Sequence, residues 1–286
     1  MILREALQST TQELLEASIS DASIEAELLL GHVLGMSKTQ LCTEPERDLT
    51  AAEAEHLRSL VRRRLDREPA AYILEQWVFY GIDLCVDRQT FIPRPETEML
   101  VEKAVELAGI LSRRERHITI ADVGTGCGAI AVSLALALPQ ARIYATDISA
   151  SALRVAEKNC QRHEVCSRVE LLRGDLLDPL PGPVDMILAN LPYIKECEFE
   201  DLSPEIINFE PSIALTGGKS GLGVIQRMLE QVPGKLNCGG CFLLEIGVGQ
   251  GGAATSLINS HFPQAAIELM PDLGGIDRVM KVHLTE

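Results

Sequence analysis

Residues 117–138 read HITIADVGTGCGAIAVSLALAL, and the order of residue types in that stretch decides the fold. His117 to Val123 is an apolar, β-branched run with the character of a strand. Three glycines follow at alternate positions, Gly124, Gly126 and Gly128, and Ala129 to Leu138 then reads as an apolar helix. Glycines let a chain turn sharply off a strand and let a ligand lie against bare backbone. The spacing is GxGxG, not the GxGxxG of dinucleotide sites. A pyrophosphate wants a helix N-terminus close by; a nucleoside with an amino-acid tail does not. The loop Gly124-Thr125-Gly126-Cys127-Gly128 is thus a candidate nucleoside-binding turn, with a plain structural turn as the competing reading.

Downstream, strand and helix alternate. Arg142 to Asp147 is strand-like and Ser149 to about His163 helical; Val169 to Arg173 and Met186 to Asn190 are short apolar strands. Gly221 to Val232 is helical, Cys241 to Ile246 a strand, Gly252 to Ser260 a helix, and two more strands lie near Ile267 and Val279. Such alternation predicts an α/β fold with a parallel, doubly wound sheet, in which ligands bind at the carboxyl ends of the strands. Acids stand at two of those ends. Asp147 closes the second strand, 23 residues after Gly124, where a carboxylate can accept both hydroxyl protons of a ribose. Asp175, with Leu176, follows the third, where a carboxylate can take an adenine amino group.

The fourth strand, VDMILAN, delivers Asn190-Leu191-Pro192-Tyr193. The nitrogen of an amide or aryl amine is a poor nucleophile because its lone pair is delocalised. A site helps by accepting both N–H bonds, here with the Asn190 side-chain oxygen and the Leu191 backbone carbonyl, and by holding the nitrogen toward the group it attacks. Tyr193 can stack on the planar group. As a bare tetrapeptide the same residues are also a strand-to-turn exit.

Upstream, residues 1–70 read as helices only. Asp21 or Ser23 can cap a segment that runs through Leu28, Leu29 and Leu30 to a stop at Gly35. Thr50-Ala-Ala-Glu53 fits a capping box, followed by Leu57, Leu60, Val61 and Leu65 on one helical face, which ends before Pro69. From Ala71 to about Thr90 the residues turn β-branched and aromatic, with Gly81 as the turn of a predicted hairpin; Glu96 to Leu111 is again helical. The basic runs Arg62-Arg63-Arg64 and Arg113-Arg114 read as solvated helix faces.

The chain has 286 residues, 46% apolar and 23% charged, enough to bury a sizeable core. The net charge of -15 repels phosphate backbones and argues against nucleic acid as the main partner. The eight cysteines form no framework, the N-terminus has no apolar signal core, and no apolar run approaches the roughly 18 residues of a membrane span. A cytoplasmic protein with reduced thiols is expected, with no membrane association. Cys238-Gly-Gly-Cys241 is a single pair with no second ligand pair or nearby histidine, so no metal is expected.

Thr90-Phe-Ile-Pro-Arg-Pro-Glu-Thr-Glu98, the glycine loop from Asp122, NLPY with Ile194, Glu210-Pro211-Ser-Ile-Ala214-Leu215, and Leu244-Glu-Ile-Gly247 with Gln250-Gly251 occur in that order. The series resembles the release factor glutamine methyltransferases, from about Arg67 onward and weakly before it. The resemblance implies a Rossmann-like, S-adenosylmethionine-dependent methyltransferase domain with a mixed seven-stranded sheet, at residues 91–286. A helical substrate-recognition domain at 1–70 and a hairpin linker at 71–90 would precede it. It implies methylation of the side-chain nitrogen of the glutamine in the GGQ loop of class 1 peptide chain release factors. Gly124, Thr125, Gly126, Cys127, Gly128, Asp147, Ile148, Asp175, Leu176 and Asn190 would then hold the cofactor. Asn190 to Tyr193 would hold the glutamine amide, and Phe91 would line the wall near the methyl group. One departure stands out: the family usually has NPPY, and Leu191 replaces the first proline. NLPY is also similar to the motif of ribosomal RNA adenine dimethyltransferases, so methylation of adenine N6 in a nucleic acid is the alternative.

Overall fold

The computed structural model describes residues 1–111 and 117–284. Five helices open the chain: α1 (Leu3–Glu16), α2 (Ala22–Leu34), α3 (Lys38–Thr43), α4 (Ala51–Leu65) and α5 (Ala70–Leu74). Their ends follow local chemistry. Thr50 and Glu53 close the expected capping box on α4, with the Thr50 hydroxyl accepting from Glu53 N and the Glu53 carboxylate accepting from Thr50 N. Gly35 ends α2 at φ 62°, a left-handed stop. Leu14, Leu29, Leu30, Leu57 and Leu60 are among the residues of this unit's core.

Two sequence expectations fail here for a geometric reason. Leu57, Leu60 and Val61 are buried, but Leu65 is exposed and Arg64 is buried in its place. At about 100° per residue, position i+7 returns to within roughly 20° of the starting direction, whereas i+8 lies some 80° away. Arg64 is therefore no solvated face residue: it pairs with Glu25 and with Glu205, and Arg67 joins it on Glu205. Arg113 and Arg114 lie outside the described residues.

Glu205 comes from far along the chain. One compact unit consists of Met1–Gln76 together with Ser203–Phe209, and the other of Trp77–Leu202 with Glu210–Glu286. This division departs from a boundary at residue 70. The residues expected to begin the hairpin also differ: Pro69 caps α5, the alanines at 70 and 71 favour helix, and the strands start only at Gln76.

The second unit carries β1 (Gln76–Phe79) from its second residue on, β2 (Ile82–Cys85), with a turn at Gly81, and then α6 (Glu98–Leu111). The hairpin is fastened to its own unit. Buried Asn159 accepts from Cys85 N at 2.7 Å and donates to Cys85 O and Cys127 O. The sheet follows: β3 (Thr119–Val123), α7 (Ala129–Ala137), β4 (Arg142–Asp147), α8 (Ala150–Arg162), β5 (Val169–Arg173) and β6 (Val184–Ala189). The short α9 (Pro204–Phe209) belongs to the first unit, and α10 (Gly223–Gln231), β7 (Leu236–Glu245), α11 (Gly251–His261), β8 (Ala266–Pro271) and β9 (Asp277–His283) complete the second.

Strand order is β5-β4-β3-β6-β7-β9-β8. Five strands are parallel, and β9 inserts antiparallel between β7 and β8, giving a mixed seven-stranded sheet. The chain runs outward from β3 through β4 to β5 and then restarts at β6 on the other side of β3. That reversal opens a crevice at the carboxyl ends of β3 and β6. Every residue of β6 is buried, as a central parallel strand requires.

Candidate active site

Both motifs singled out in the sequence leave the sheet at this crevice, one after β3 and the other after β6. A cavity of about 210 Å³ lies there, lined by the glycine loop, Asp147, Asp175 and Asn190 to Tyr193, among others. The loop is shaped by backbone bonds. Gly124 N and Thr125 N both donate to Thr146 O at 2.9 Å, and Gly126 N donates to Asp147 Oδ2 at 2.9 Å. Gly124 has φ 74°, and a Cβ there would lie 3.1 Å from Leu191 Cδ2. The two motifs thus touch, and the leucine that departs from NPPY fills buried apolar space against the bare glycine.

Asp147 Oδ1 accepts from Ser149 N at 2.8 Å. Burial raises its pKa, against backbone N–H donors from Ser149, Gly126 and Ile148. A carboxylate has about four lone-pair sites, so these three bonds leave about one for a further donor, fewer than the two ribose hydroxyls expected from the sequence. Asp122, beneath the loop, is fully buried; burial lifts its carboxyl to about 7, while Thr125 Oγ1 and Ala131 N donate to Oδ2. Asp175 forms an ion pair with Arg227 that the sequence reading did not anticipate, and both line the cavity. Leu176 takes φ 51°, rare for a leucine, and its carbonyl accepts from Thr146 Oγ1 at 2.8 Å. Cys127 is buried, which pushes its thiol up to about 12 and leaves it unreactive.

Asn190 Nδ2 donates to Thr97 Oγ1 at 3.0 Å. Tyr193 Oη donates to Glu245 Oε1 at 3.4 Å, and burial raises the phenol's pKa. Buried Gln250 donates from Nε2 to Tyr193 O at 2.8 Å and accepts from Gly247 N at 2.9 Å, clipping the motif's backbone in place. Phe91 is half-buried on the cavity wall with the Arg94 guanidinium 4.5 Å over its ring. Arg94 in turn pairs with buried Glu210, which also accepts from Ile92 N. All the expected site residues except Gly128, the residue that caps α7 at φ 84°, line the one cavity.

Thr97, Glu210, Glu245 and Gln250 have work that motif reading did not assign them. The available signal was an acid in an otherwise apolar run, Glu245 within Cys241–Ile246. Of the cysteine pair on β7, Cys238 is exposed and Cys241 buried. No described helix is long and apolar enough to cross a membrane.

Comparison with known proteins matches two family models, the PrmC N-terminal domain over residues 5–74 and the Methyltransferase small domain over residues 100–231. A protein of Chlorobaculum tepidum named release factor glutamine methyltransferase is 39% identical over 280 residues, covering 96% of this chain and 94% of its own. A protein of the same name from Moorella thermoacetica is 38% identical over 287 residues, covering 100% of both. Among solved structures, a ribosomal protein L11 methylase of Lactobacillus delbrueckii subsp. bulgaricus superposes with a TM-score of 0.51 at 20% identity. It covers 70% of this chain and 84% of that one, a likeness of fold.

Proposed function

The chain belongs to the family of release factor glutamine methyltransferases, and on that premise we propose how its cavity carries out the reaction. The enzyme methylates the side-chain amide nitrogen of the glutamine in the GGQ motif of peptide chain release factors. S-adenosylmethionine is the methyl donor of this reading; it supplies a methyl group on a positively charged sulfur. The residues present fit it. The glycine loop offers bare backbone, with nothing within 4 Å of where a Cβ at Gly126 would stand. Asp147 lines the cavity and keeps an acceptor site for a ribose hydroxyl, and Ile148, half-exposed on the cavity wall, offers an apolar surface to a base.

The observation that carries the reading is the Asn190 hydrogen bond to Thr97. With Nδ2 committed there, Oδ1 is turned to accept an N–H from the substrate amide. The Leu191 carbonyl takes the second N–H, and the two acceptors hold the nitrogen so that its lone pair faces the methyl group. As positive charge develops on that nitrogen, both acceptors strengthen. Tyr193, fixed by Glu245 and Gln250, lies along the planar amide. Mass spectrometry of release factor incubated with enzyme and S-adenosylmethionine tests this: a gain of one methyl on the GGQ glutamine supports it. Transfer to ribosomal RNA in a parallel tritium-methyl assay, with none to release factor, overturns it.

The helical unit carries no chemistry of its own, and a lone glutamine offers little to grip, so recognition must come from remote surface. Ile24 and Leu28, one turn apart on α2, are 53% and 47% exposed. Ile24→Ser with Leu28→Ser should raise KM for intact release factor while leaving the rate on a short GGQ peptide unchanged. An unchanged KM makes this face ordinary surface.

A further inference from the structure

The stretch Leu244-Glu-Ile-Gly247 with Gln250 closes β7 and forms the loop behind it. Glu245, Gly247 and Gln250 do not line the cavity, yet all three reach Tyr193, which does. We propose that Gln250 is a positioning residue for methyl transfer: it pins the Tyr193 carbonyl and thereby fixes the aim of the Leu191 carbonyl. The inference rests on the reading of Leu191 and Tyr193 as groups that hold the substrate amide. The Gln250 amide has no freedom to turn. Its Oε1 accepts from Gly247 N at 2.9 Å, and its Nε2 donates to Tyr193 O at 2.8 Å. A backbone N–H can only donate and a carbonyl only accept, so a flipped amide would lose both bonds. Gln250 stands at the N-terminus of α11, but its side chain makes no capping bond to that helix. Its buried donor is spent on Tyr193 instead.

Two glycines make room for this contact. A Cβ at Gly221, where φ is 74°, would lie 2.5 Å from both Gln250 Nε2 and Tyr193 O. One at Gly247 would lie 3.0 Å from Gln250 Oε1 and from Cδ2 of the Tyr193 ring. The chain beyond Tyr193 is held by other partners: Ile194 N donates to Leu215 O at 3.0 Å, and Ile194 O accepts from Gly217 N at 2.8 Å. Before it, the Leu191 side chain packs against Gly124. Between these anchors stands Pro192, whose ring fixes φ and which has no N–H to bond elsewhere. Few torsions then separate the Tyr193 carbonyl from that of Leu191, so a bond to the first restrains the second. Two acceptors hold a nitrogen for attack only while both point at it. A carbonyl free to swing therefore costs rate and leaves cofactor binding alone.

Gln250→Met and Gly247→Ala, made in the full chain beside Asn190→Ala, test this. Methionine keeps the length of Gln250 and removes both of its bonds. A methyl at Gly247 presses on the Gln250 amide and the Tyr193 ring while leaving both residues in place. Steady-state kinetics gives kcat and KM for release factor, and calorimetry gives S-adenosylmethionine affinity. Carbonyl carbon-13 resonances of Leu191 and Tyr193 in the cofactor-free protein give a readout apart from turnover. Q250M should lower kcat about tenfold, the scale of one hydrogen bond, with KM and cofactor affinity within about twofold. Both carbonyl resonances should move. G247A should lower kcat in the same sense, again with cofactor affinity kept. Wild-type kcat in either variant, a kcat that falls only in step with cofactor affinity, or a Leu191 resonance that stays still in Q250M overturns the proposal. If Asn190→Ala also keeps its rate, the reading of the site fails with it; if Asn190→Ala loses rate and Q250M does not, the role of Gln250 alone fails.

Discussion

The two sides of the cavity are built in different ways. On the glycine-loop side every donor is a backbone N–H and the partners come from the loop and the end of the neighbouring strand: Gly126 and Ser149 both donate to the Asp147 carboxylate, 21 and 2 residues away, and Gly124 and Thr125 to Thr146 O. On the Asn190 side they are made by side chains from remote segments, 93 residues apart for Asn190 and Thr97 and 52 for Tyr193 and Glu245. One side takes its shape from a glycine turn held against the end of the adjacent strand β4. The other exists only once β6, β7 and the segment before α6 have come together. The first is suited to holding a ligand and the second to placing a reacting atom.

Substitutions should separate those two roles. The largest effect is expected from Asn190→Ala, with kcat lowered by roughly two to three orders and cofactor affinity kept within a few-fold. Equal loss of both by calorimetry and steady-state kinetics would erase the division. Asp147→Ala should do the reverse, weakening S-adenosylmethionine binding by about 1.5–3 kcal/mol, the cost of a charged hydrogen-bond partner. Unchanged affinity in the mutant breaks the assignment of this side.

Smaller effects sharpen the contrast. Glu245 has its folded pKa raised by burial to about 7, so the native state binds its proton more tightly than the unfolded chain. Stability from this group is present below the ordinary glutamate range and is lost as pH rises toward about 7. E245Q should therefore melt a few degrees above wild type at about pH 8 and converge with it near pH 5, by thermal denaturation. A constant gap would mean that the carboxyl does not titrate in the folded protein. Arg227→Ala removes a half-exposed ion pair with Asp175 and should change cofactor affinity no more than a few-fold.

The same contrast explains what could be read from sequence. Strands β4 and β5 match the expected limits, because short β-branched and apolar runs with turn residues at both ends leave little choice. The glycine loop and Asp147 were legible because glycine turns and acids at strand ends are signalled by residue type, and successive parallel strands bring them together. Strand β7 begins at Leu236, five residues before its apolar run, across a register irregularity opposite Val184 and Met186 that no periodicity signals. Arg64 was misread because a basic run says nothing of which face two distant carboxylates will meet. Thr97 and Glu245 stood inside the motifs, yet their bonds to Asn190 and Tyr193 are set by sheet order, which residue types alone do not reveal.

Arg64 and Arg67 wait for a partner that the ribosome makes late. The 126 residues between Gln76 and Ser203 separate the helices from α9, a delay on the order of ten seconds at ordinary elongation rates. Of the two carboxylates that Arg64 meets in the complete chain, only Glu25 has been synthesised by then. A gene split or truncated near residue 70 would make that delay permanent, leaving Glu205 without either guanidinium. Neither unit is one continuous stretch of the chain, so neither is complete until synthesis has passed through part of the other.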